Sequence, residues 1–321
     1  MNTKKINKIK KVIRQAKNII ISCHRDPDGD AIGSMLALGL GLEKMGKRVC
    51  MANSDGVPKR YIRLPGAKRV VRKANKRFDL AISVDCDDSE VLSKTFATFK
   101  RAETILEIDH HIVRRSFGDI SFVDPEAAAT GEMIYKLLKK LRITITKEIA
   151  QNLLTSIIVE TNSFSFPDTS RTTFLICADL LRTGLDFHKL TEMIYWSKTK
   201  EAVVLSGVCL ARCKFIEKGK IAWSIIRKKD FDKIKGKDED IDAVADEIRA
   251  IKSVRIVLLF REKSKSVLRV SLRSKGNINV ARLAESFGGG GHFDVAGCRV
   301  ANNTKAIHEF LKRAKKLVCK R

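Results

Sequence analysis

The 321-residue sequence is poor in aromatic side chains, with 6% Phe, Tyr and Trp in all, two Trp and three Tyr among them. A long groove for stacking successive bases draws on many such faces, so none is expected. No apolar run reaches the ~18 residues a membrane-spanning helix needs. The basic N-terminal stretch MNTKKINKIKKVIRQAK has no apolar core and is not a secretory signal, so the cytoplasm is the expected compartment. The eight cysteines (23, 50, 86, 177, 209, 213, 298, 319) form no CxxC pair and no dense framework, and read as reduced, mostly buried thiols. Cys209 and Cys213 stand one helical turn apart, but without a second Cys or His pair a zinc site is not expected. The one glycine run is not followed by GK[ST], so it is no Walker loop. No Ser or Cys sits beside a base in a nucleophile setting, which disfavours covalent catalysis.

Acidic residues are also scarce: 37 Asp and Glu against 63 Lys and Arg, a formal net charge of +26. The excess is uneven. Residues 251–321 hold 17 basic and 4 acidic residues, so +13, half of the total, lies in the last 71 positions. Such a concentration favours a phosphate-bearing ligand, although Lys4–Lys17 and Lys312–Arg321 also read as solvated faces or tails. The length fits two domains, and 44% hydrophobic with 31% charged residues is globular usage.

The first half alternates strand and helix patterns. Asn18–Cys23, Leu80–Val84 and Thr104–Ile108 are short apolar runs suited to buried parallel strands, and Ala31–Met45, Gly131–Leu141, Lys147–Val159 and Arg171–Arg182 are helical patterns. This alternation predicts a doubly wound α/β domain with its ligands at the carboxyl ends of the strands. Asp186–Lys200 reads as a connector. Strand patterns at Ile221–Ile226, Val254–Phe260 and Val267–Leu272, with a helix at Ile241–Ile251, predict a second, smaller α/β domain. The boundaries drawn are 1–185, a linker at 186–204, and 205–321.

Three of the predicted strands end in metal-type ligands. The first runs into His24-Arg25-Asp26-Pro27-Asp28-Gly29-Asp30, the second into Asp85-Cys86-Asp87-Asp88, the third into Asp109-His110-His111. A calcium loop fails on the first, because Ala31 and Ala37 occupy the positions that need Gly and Glu. A capping role accounts for one Asp, not for all of them plus His24. On one sheet edge these carboxylates repel unless cations neutralise them. Mixed imidazole and carboxylate suit manganese, zinc, iron or magnesium, and the ligand count fits two ions better than one.

HRDPDGDAIGS, VDCDD, EIDHH and the later GGGGHFDVAG resemble the signature motifs of the DHH phosphoesterase superfamily, above all its two-domain nanoRNase/pAp phosphatase members. The resemblance runs from about Asn18 to Val300 with the motifs in order. It implies an N-terminal, mainly parallel-sheet DHH domain, a C-terminal DHH-associated domain and an active site in the cleft between them. By the same resemblance, His24 and Asp28 hold one metal, Asp30 and His110 a second, and Asp85 bridges both. Asp109 orients the histidines and His111 faces the substrate phosphate. Glu160 stands where members usually carry an Asp ligand, and Asn162 where they carry Gly. Glu160 is long enough to bind manganese directly or through water, and it also reads as an ordinary helix-end carboxylate. Asp26, Asp87 and Asp88 are left as loop carboxylates or caps.

In the second domain, VLRVSLRS puts Arg269, Ser271 and Arg273 on one face ahead of Gly288–Gly291 and His292. A bare glycine run is usually a flexible turn, but beside arginines its backbone N–H groups suit an anionic phosphate. The resemblance assigns Arg269, Arg273, Ser274, Gly289, Gly290, Gly291 and His292 to the substrate. It implies hydrolysis of nanoRNA, dinucleotides such as pApA and the 3′-phosphate of pAp, by water activated between two divalent ions, manganese foremost. A di-AMP phosphodiesterase is the enzymatic alternative and a nucleotide- or RNA-binding module with a decayed site the non-enzymatic one. Duplex DNA and membranes are not expected as partners, and a homodimer is left open.

Overall fold

A computed structural model describes residues 3–111, 114–196, 198–241, 243–291 and 293–319. The chain divides into two compact units, Met1–Ser197 and Lys198–Arg321.

The first unit is built on a five-stranded, all-parallel sheet: β1 (Asn18–Ser22), β2 (Arg48–Ala52), β3 (Leu80–Val84), β4 (Thr104–Asp109) and β5 (Ile120–Val123), in the order β2-β1-β3-β4-β5. β1 and β3 are central and covered on both faces, which is why they read as mostly apolar runs rather than alternating ones. The chain leaves β1 for β2 on one side and resumes with β3 on the other. That reversal opens a crevice at the carboxyl ends of β1 and β3, the usual place for a ligand in an open parallel sheet.

The helices of this unit are α1 (Thr3–Gln15), α2 (Gly29–Lys44), α3 (Phe96–Phe99), α4 (Thr130–Lys140), α5 (Lys147–Glu160), α6 (Arg171–Leu181) and α7 (Phe187–Tyr195). α2 is apolar nearly all round because it is buried nearly all round. Burying its Ile32, Met35, Leu36, Leu38 and Leu42 contributes on the order of 10 kcal/mol before chain entropy. Its partner α5 lies so close that a Cβ on Gly33 would stand 2.5 Å from the Asn152 carbonyl oxygen. The stretch 186–204 is not a bare connector. It contains α7, whose Leu190 and Ile194 join the first core, and the start of the next helix.

The second unit has a six-stranded mixed sheet, β6 (Lys214–Ile216), β7 (Ile221–Ile226), β8 (Ile256–Glu262), β9 (Val267–Ser274), β10 (Gly290–Gly291) and β11 (Val295–Ala301), in the order β10-β11-β9-β8-β7-β6. Its helices are α8 (Lys200–Ala211), α9 (Lys228–Ile234), α10 (Val244–Arg249), α11 (Ala281–Glu285) and α12 (Thr304–Cys319). α8, α9 and α10 cover one face of the sheet, α11 and α12 the other, each with its own apolar cluster. The seven described cysteines are free thiols, five of them buried. Among the described residues no helix is long and apolar enough to cross a membrane.

Candidate active site

β1, β3 and β4 deliver their ligand-rich ends to the same place. After β1, Asp28 caps α2 by accepting the Ala31 N–H on Oδ1 at 3.0 Å. The His24 ring has its Nδ1 2.7 Å from the Arg25 carbonyl, which fixes the proton on that nitrogen. Its Nε2 then faces Asp28 Oδ1 at 3.9 Å and Asp85 Oδ2 at 3.5 Å. Asn53, buried at the end of β2, donates to the His24 carbonyl at 2.8 Å and holds this loop in place.

Asp85 turns out of β3 in the left-handed region, at φ +57°, a conformation Asp tolerates better than most residues. The turn brings its carboxylate across the strand ends. Oδ2 faces His24, while Oδ1 lies 3.7 Å from His110 Nε2 and accepts the Thr130 hydroxyl at 3.1 Å. One carboxylate thus addresses two histidines from two different strands.

His110 repeats the pattern of His24. Its Nδ1 donates to the Ala127 carbonyl at 3.1 Å, leaving Nε2 buried with no hydrogen-bond partner among the described residues. Around that nitrogen stand Asp30 Oδ2 at 3.6 Å, Asp85 Oδ1 at 3.7 Å and Glu160 Oε1 at 3.7 Å. Glu160, at the end of α5, is therefore inside the cluster. The chain then makes a left-handed turn with φ +45° at Asn162, which accounts for a residue that substitutes readily for Gly in that region.

Asp30 is fully buried. Its Oδ1 accepts from Ser34 at 3.0 Å, Ser156 at 2.5 Å and the Gly131 N–H at 3.2 Å, and its Oδ2 accepts the Thr130 N–H at 2.8 Å. The two N–H groups belong to the first turn of α4, whose dipole favours a carboxylate there. Gly131 is required, since a Cβ would stand 2.0 Å from the Ser156 hydroxyl.

Asp109 pairs with His111 rather than His110, accepting from His111 Nδ1 at 2.7 Å and from Arg114 Nε at 3.1 Å. Arg114 also donates to the buried Glu107 at 2.7 Å, and Glu107 accepts from Ser116, Ser121 and the Phe117 N–H. This network ties the loop beyond β4 to the strand and sets the His111 ring.

The electrostatics are those of a cation site. Burial would push the His24 imidazole down, but its hydrogen bond to Asp85 and the charges of Asp85 and Asp28 outweigh that and hold it at about 10. Burial acts likewise on His111, and Asp109 and Asp85 lift it to about 9. Burial and the neighbouring carboxylates raise Asp30 and Glu160. Burial opposes ionisation of Asp85 too, but the three surrounding histidines keep its carboxyl well below the usual range. Ligands held about 2.0–2.2 Å from one ion lie roughly 3–4 Å from each other, the spacing seen around His24 and His110. The unpartnered His110 Nε2 and its three carboxylates therefore fit a divalent metal. His24, Asp28 and Asp85, and Asp85, His110 and His111, form two groups with ligand atoms within 4.8 Å of one another.

The remaining acids of the motifs make other contacts, although the Asp87 charge still reaches His111. Asp88 caps the short helical turn at Ser89–Thr95, the Asp26 N–H donates to Asp55 Oδ2 at 2.8 Å, and the Asp87 carbonyl accepts the Arg115 N–H. Ser34, Asn53, Arg114, Thr130 and Ser156 were missed by sequence reasoning. Isolated hydroxyls and amides carry no spacing signal; only the Ser four residues after Asp30 on one helix face hinted at a contact.

In the second unit, Arg273 pairs with Asp246 at 3.2 Å and Arg269 lies 3.7 Å from Asp238. Ser274 is buried and donates to the Ile278 carbonyl at 2.6 Å. Gly289 and Gly291 are packed against β11, where a Cβ would stand 2.3 Å from the Gly297 carbonyl and 2.5 Å from Ala296 Cα respectively. Gly290 is exposed, with nothing within 4 Å of a Cβ. His292 lies outside the described residues.

Residues 18–157 match the DHH family N-terminal domain and residues 219–320 the DHHA1 domain. The chain belongs to the DHH family. It is 31% identical over 283 residues to the bifunctional oligoribonuclease and PAP phosphatase NrnA of Thermus thermophilus, covering 87% of this chain and 83% of that protein. An exopolyphosphatase-related protein from Bacteroides fragilis shares the DHH–DHHA1 fold at a TM-score of 0.91 and 24% identity, over 99% of this chain and 98% of the other. Exonuclease RecJ, solved bound to manganese, has the same fold at a TM-score of 0.54 and 14% identity, over 100% and 96% of the two chains.

Proposed function

We infer that this DHH protein is a metal-dependent phosphoesterase that hydrolyses short oligonucleotides, dinucleotides such as pApA included, to mononucleotides, and that it removes the 3′-phosphate of pAp. The observation that carries the metal chemistry is Asp85, whose two oxygens face His24 and His110. We assign His24, Asp28 and Asp85 to one ion and Asp30, Asp85, His110 and Glu160 to a second, with manganese the first choice for both. Bound divalent ions supply an activated water and neutralise the phosphoryl oxygens.

The protein's own side chains do the rest. The Ala127 and Arg25 carbonyls lock the tautomers that turn His110 and His24 Nε2 inward. The α4 N–H groups and two serines keep Asp30 rigid. Asp109 holds the proton of His111 on Nδ1, so Nε2 is the nitrogen that meets the substrate phosphate. Arg269, Arg273 and the Gly289–Gly291 run are assigned to the substrate's anionic groups. Gly290 supports this, because none of the described residues lies within 4 Å of the place its side chain would take. The basic excess of the second domain and the free thiols suit an anionic substrate in the cytoplasm.

The test is manganese-dependent release of mononucleotide from pApA, and of phosphate from pAp, by the purified chain. Binding without turnover would leave the non-enzymatic alternative.

A further inference from the structure

β6 and α12 enclose an open groove of about 690 Å³, lined among others by Lys214, Phe215, Trp223, His308, Lys312 and Lys315. β6 forms one edge of its sheet and β10 the other. Five steps of about 4.8 Å between neighbouring strands put the groove about 24 Å from Gly290 and Gly291, so it is no part of the glycine-rich site.

Its charge is one-sided. Lys315 pairs with Glu217 at 3.0 Å and Arg313 with Glu309 at 2.9 Å. Lys214, Lys305, Lys312 and Lys316, on and beside the groove, make no ion pair among the described residues. Of its aromatics, Phe215 is 49% exposed on an edge strand. Trp223 is half-buried, edge-on to the buried Phe260, with the Lys214 ammonium 5.4 Å from its ring centroid.

Lysines that track a backbone beside aromatic faces that stack bases are the two elements of single-strand recognition. A membrane surface fits less well. The apolar stripe of α12, Ile307, Phe310, Leu311 and Ala314, is already buried in its own domain and has nothing left to insert.

We propose that the β6–α12 groove binds single-stranded RNA through its phosphates and a stacked base, apart from the glycine-rich run of its own domain. This goes beyond the hydrolase reading and stands or falls separately from it, because binding here needs no metal.

The experiment is fluorescence anisotropy of a labelled 12-nucleotide single-stranded RNA with the full chain in EDTA, across a salt series. The variants are Lys214→Glu with Lys312→Glu, and separately Phe215→Ser, all exposed positions whose folding is checked by circular dichroism. Each lost phosphate contact flattens the plot of log affinity against log salt by about 0.7, so the double variant is expected to lose about 1.4 of slope. It should also bind at least ten-fold more weakly at 100 mM salt. Phe215→Ser is expected to bind about five-fold more weakly with the slope unchanged, as loss of one stack requires. Hydrolysis of pApA should be unchanged in both. Unaltered RNA affinity and slope in both variants would overturn the proposal. So would loss of binding to phosphatidylserine vesicles or to an acidic peptide in place of RNA.

Discussion

Replacing Ser156 with Ala tests whether the buried cradle around Asp30 exists to serve a metal. Ser156 donates to Asp30 Oδ1 at 2.5 Å from α5, opposite the N–H groups of α4. Asp30 Oδ2 points at His110 Nε2, 3.6 Å away. The substitution removes one hydrogen bond to a buried carboxylate, a loss of about 1.5–3 kcal/mol. For a unit of this size Tm moves about 2–4 °C per kcal/mol, so calorimetry should show a drop of roughly 3–12 °C. If Asp30 is a metal ligand, the loosened carboxylate also binds its ion about 10–100-fold more weakly, the usual effect of removing a group that orients a ligand. Isothermal titration of manganese into EDTA-stripped protein measures that directly. A clear fall in Tm with manganese affinity within two-fold of the parent would refute the reasoning, because Asp30 would then be a structural carboxylate only.

Asp85→Asn keeps a residue that tolerates φ +57° while removing the bridging charge, so pApA turnover should fall to background with the circular dichroism spectrum unchanged. Glu160→Gln should weaken one manganese site by about ten-fold or more while Glu160→Asp retains it; equal behaviour of the two would make Glu160 a bystander. In metal-free protein His24 stays protonated up to about 10. Its pairing therefore stabilises the metal-free fold fully below the ordinary histidine range near pH 6.5, and that contribution is lost as pH rises toward 10. Metal uptake at pH 7–8 must expel this proton, so titrations in buffers of different ionisation enthalpy should show proton release and affinity should rise with pH. Gly290→Val should leave the melting temperature nearly unchanged and raise KM for pApA; an unchanged KM would remove the glycine run from the substrate grip.

The central strands were legible because they are covered on both faces. NIIIS and LAISV are mostly apolar, with only Asn18, Ser22 and Ser83 polar, and their ends carry His24 and Asp85. β2 and β5 were not legible: RVCMA opens on an exposed arginine at a sheet edge and leaves only four apolar residues, and ISFV is only four residues long. β10 is two glycines and has no side-chain pattern at all. α7 was read as a connector, although Leu190 and Ile194, one helical turn apart, are buried. In the site, residues that come from one motif were visible and those assembled by topology were not. The Thr130 N–H and the Ser156 hydroxyl reach Asp30 across 100 and 126 positions of sequence, distances over which a lone donor gives no sign of its partner. Glu160 was read as a metal ligand, with an ordinary helix-end carboxylate as the other reading, and its Oε1 lies 3.7 Å from His110 Nε2.

The central claim is tested most directly by incubating the purified chain, stripped with EDTA and then given manganese, with pApA, pAp and a 5-mer RNA, beside the Asp85→Asn variant. AMP from pApA, phosphate from pAp and mononucleotides from the 5-mer are expected, all dependent on manganese and all absent from the variant. Turnover that survives EDTA or the loss of the Asp85 charge would contradict that claim, as would no turnover of any of the three substrates.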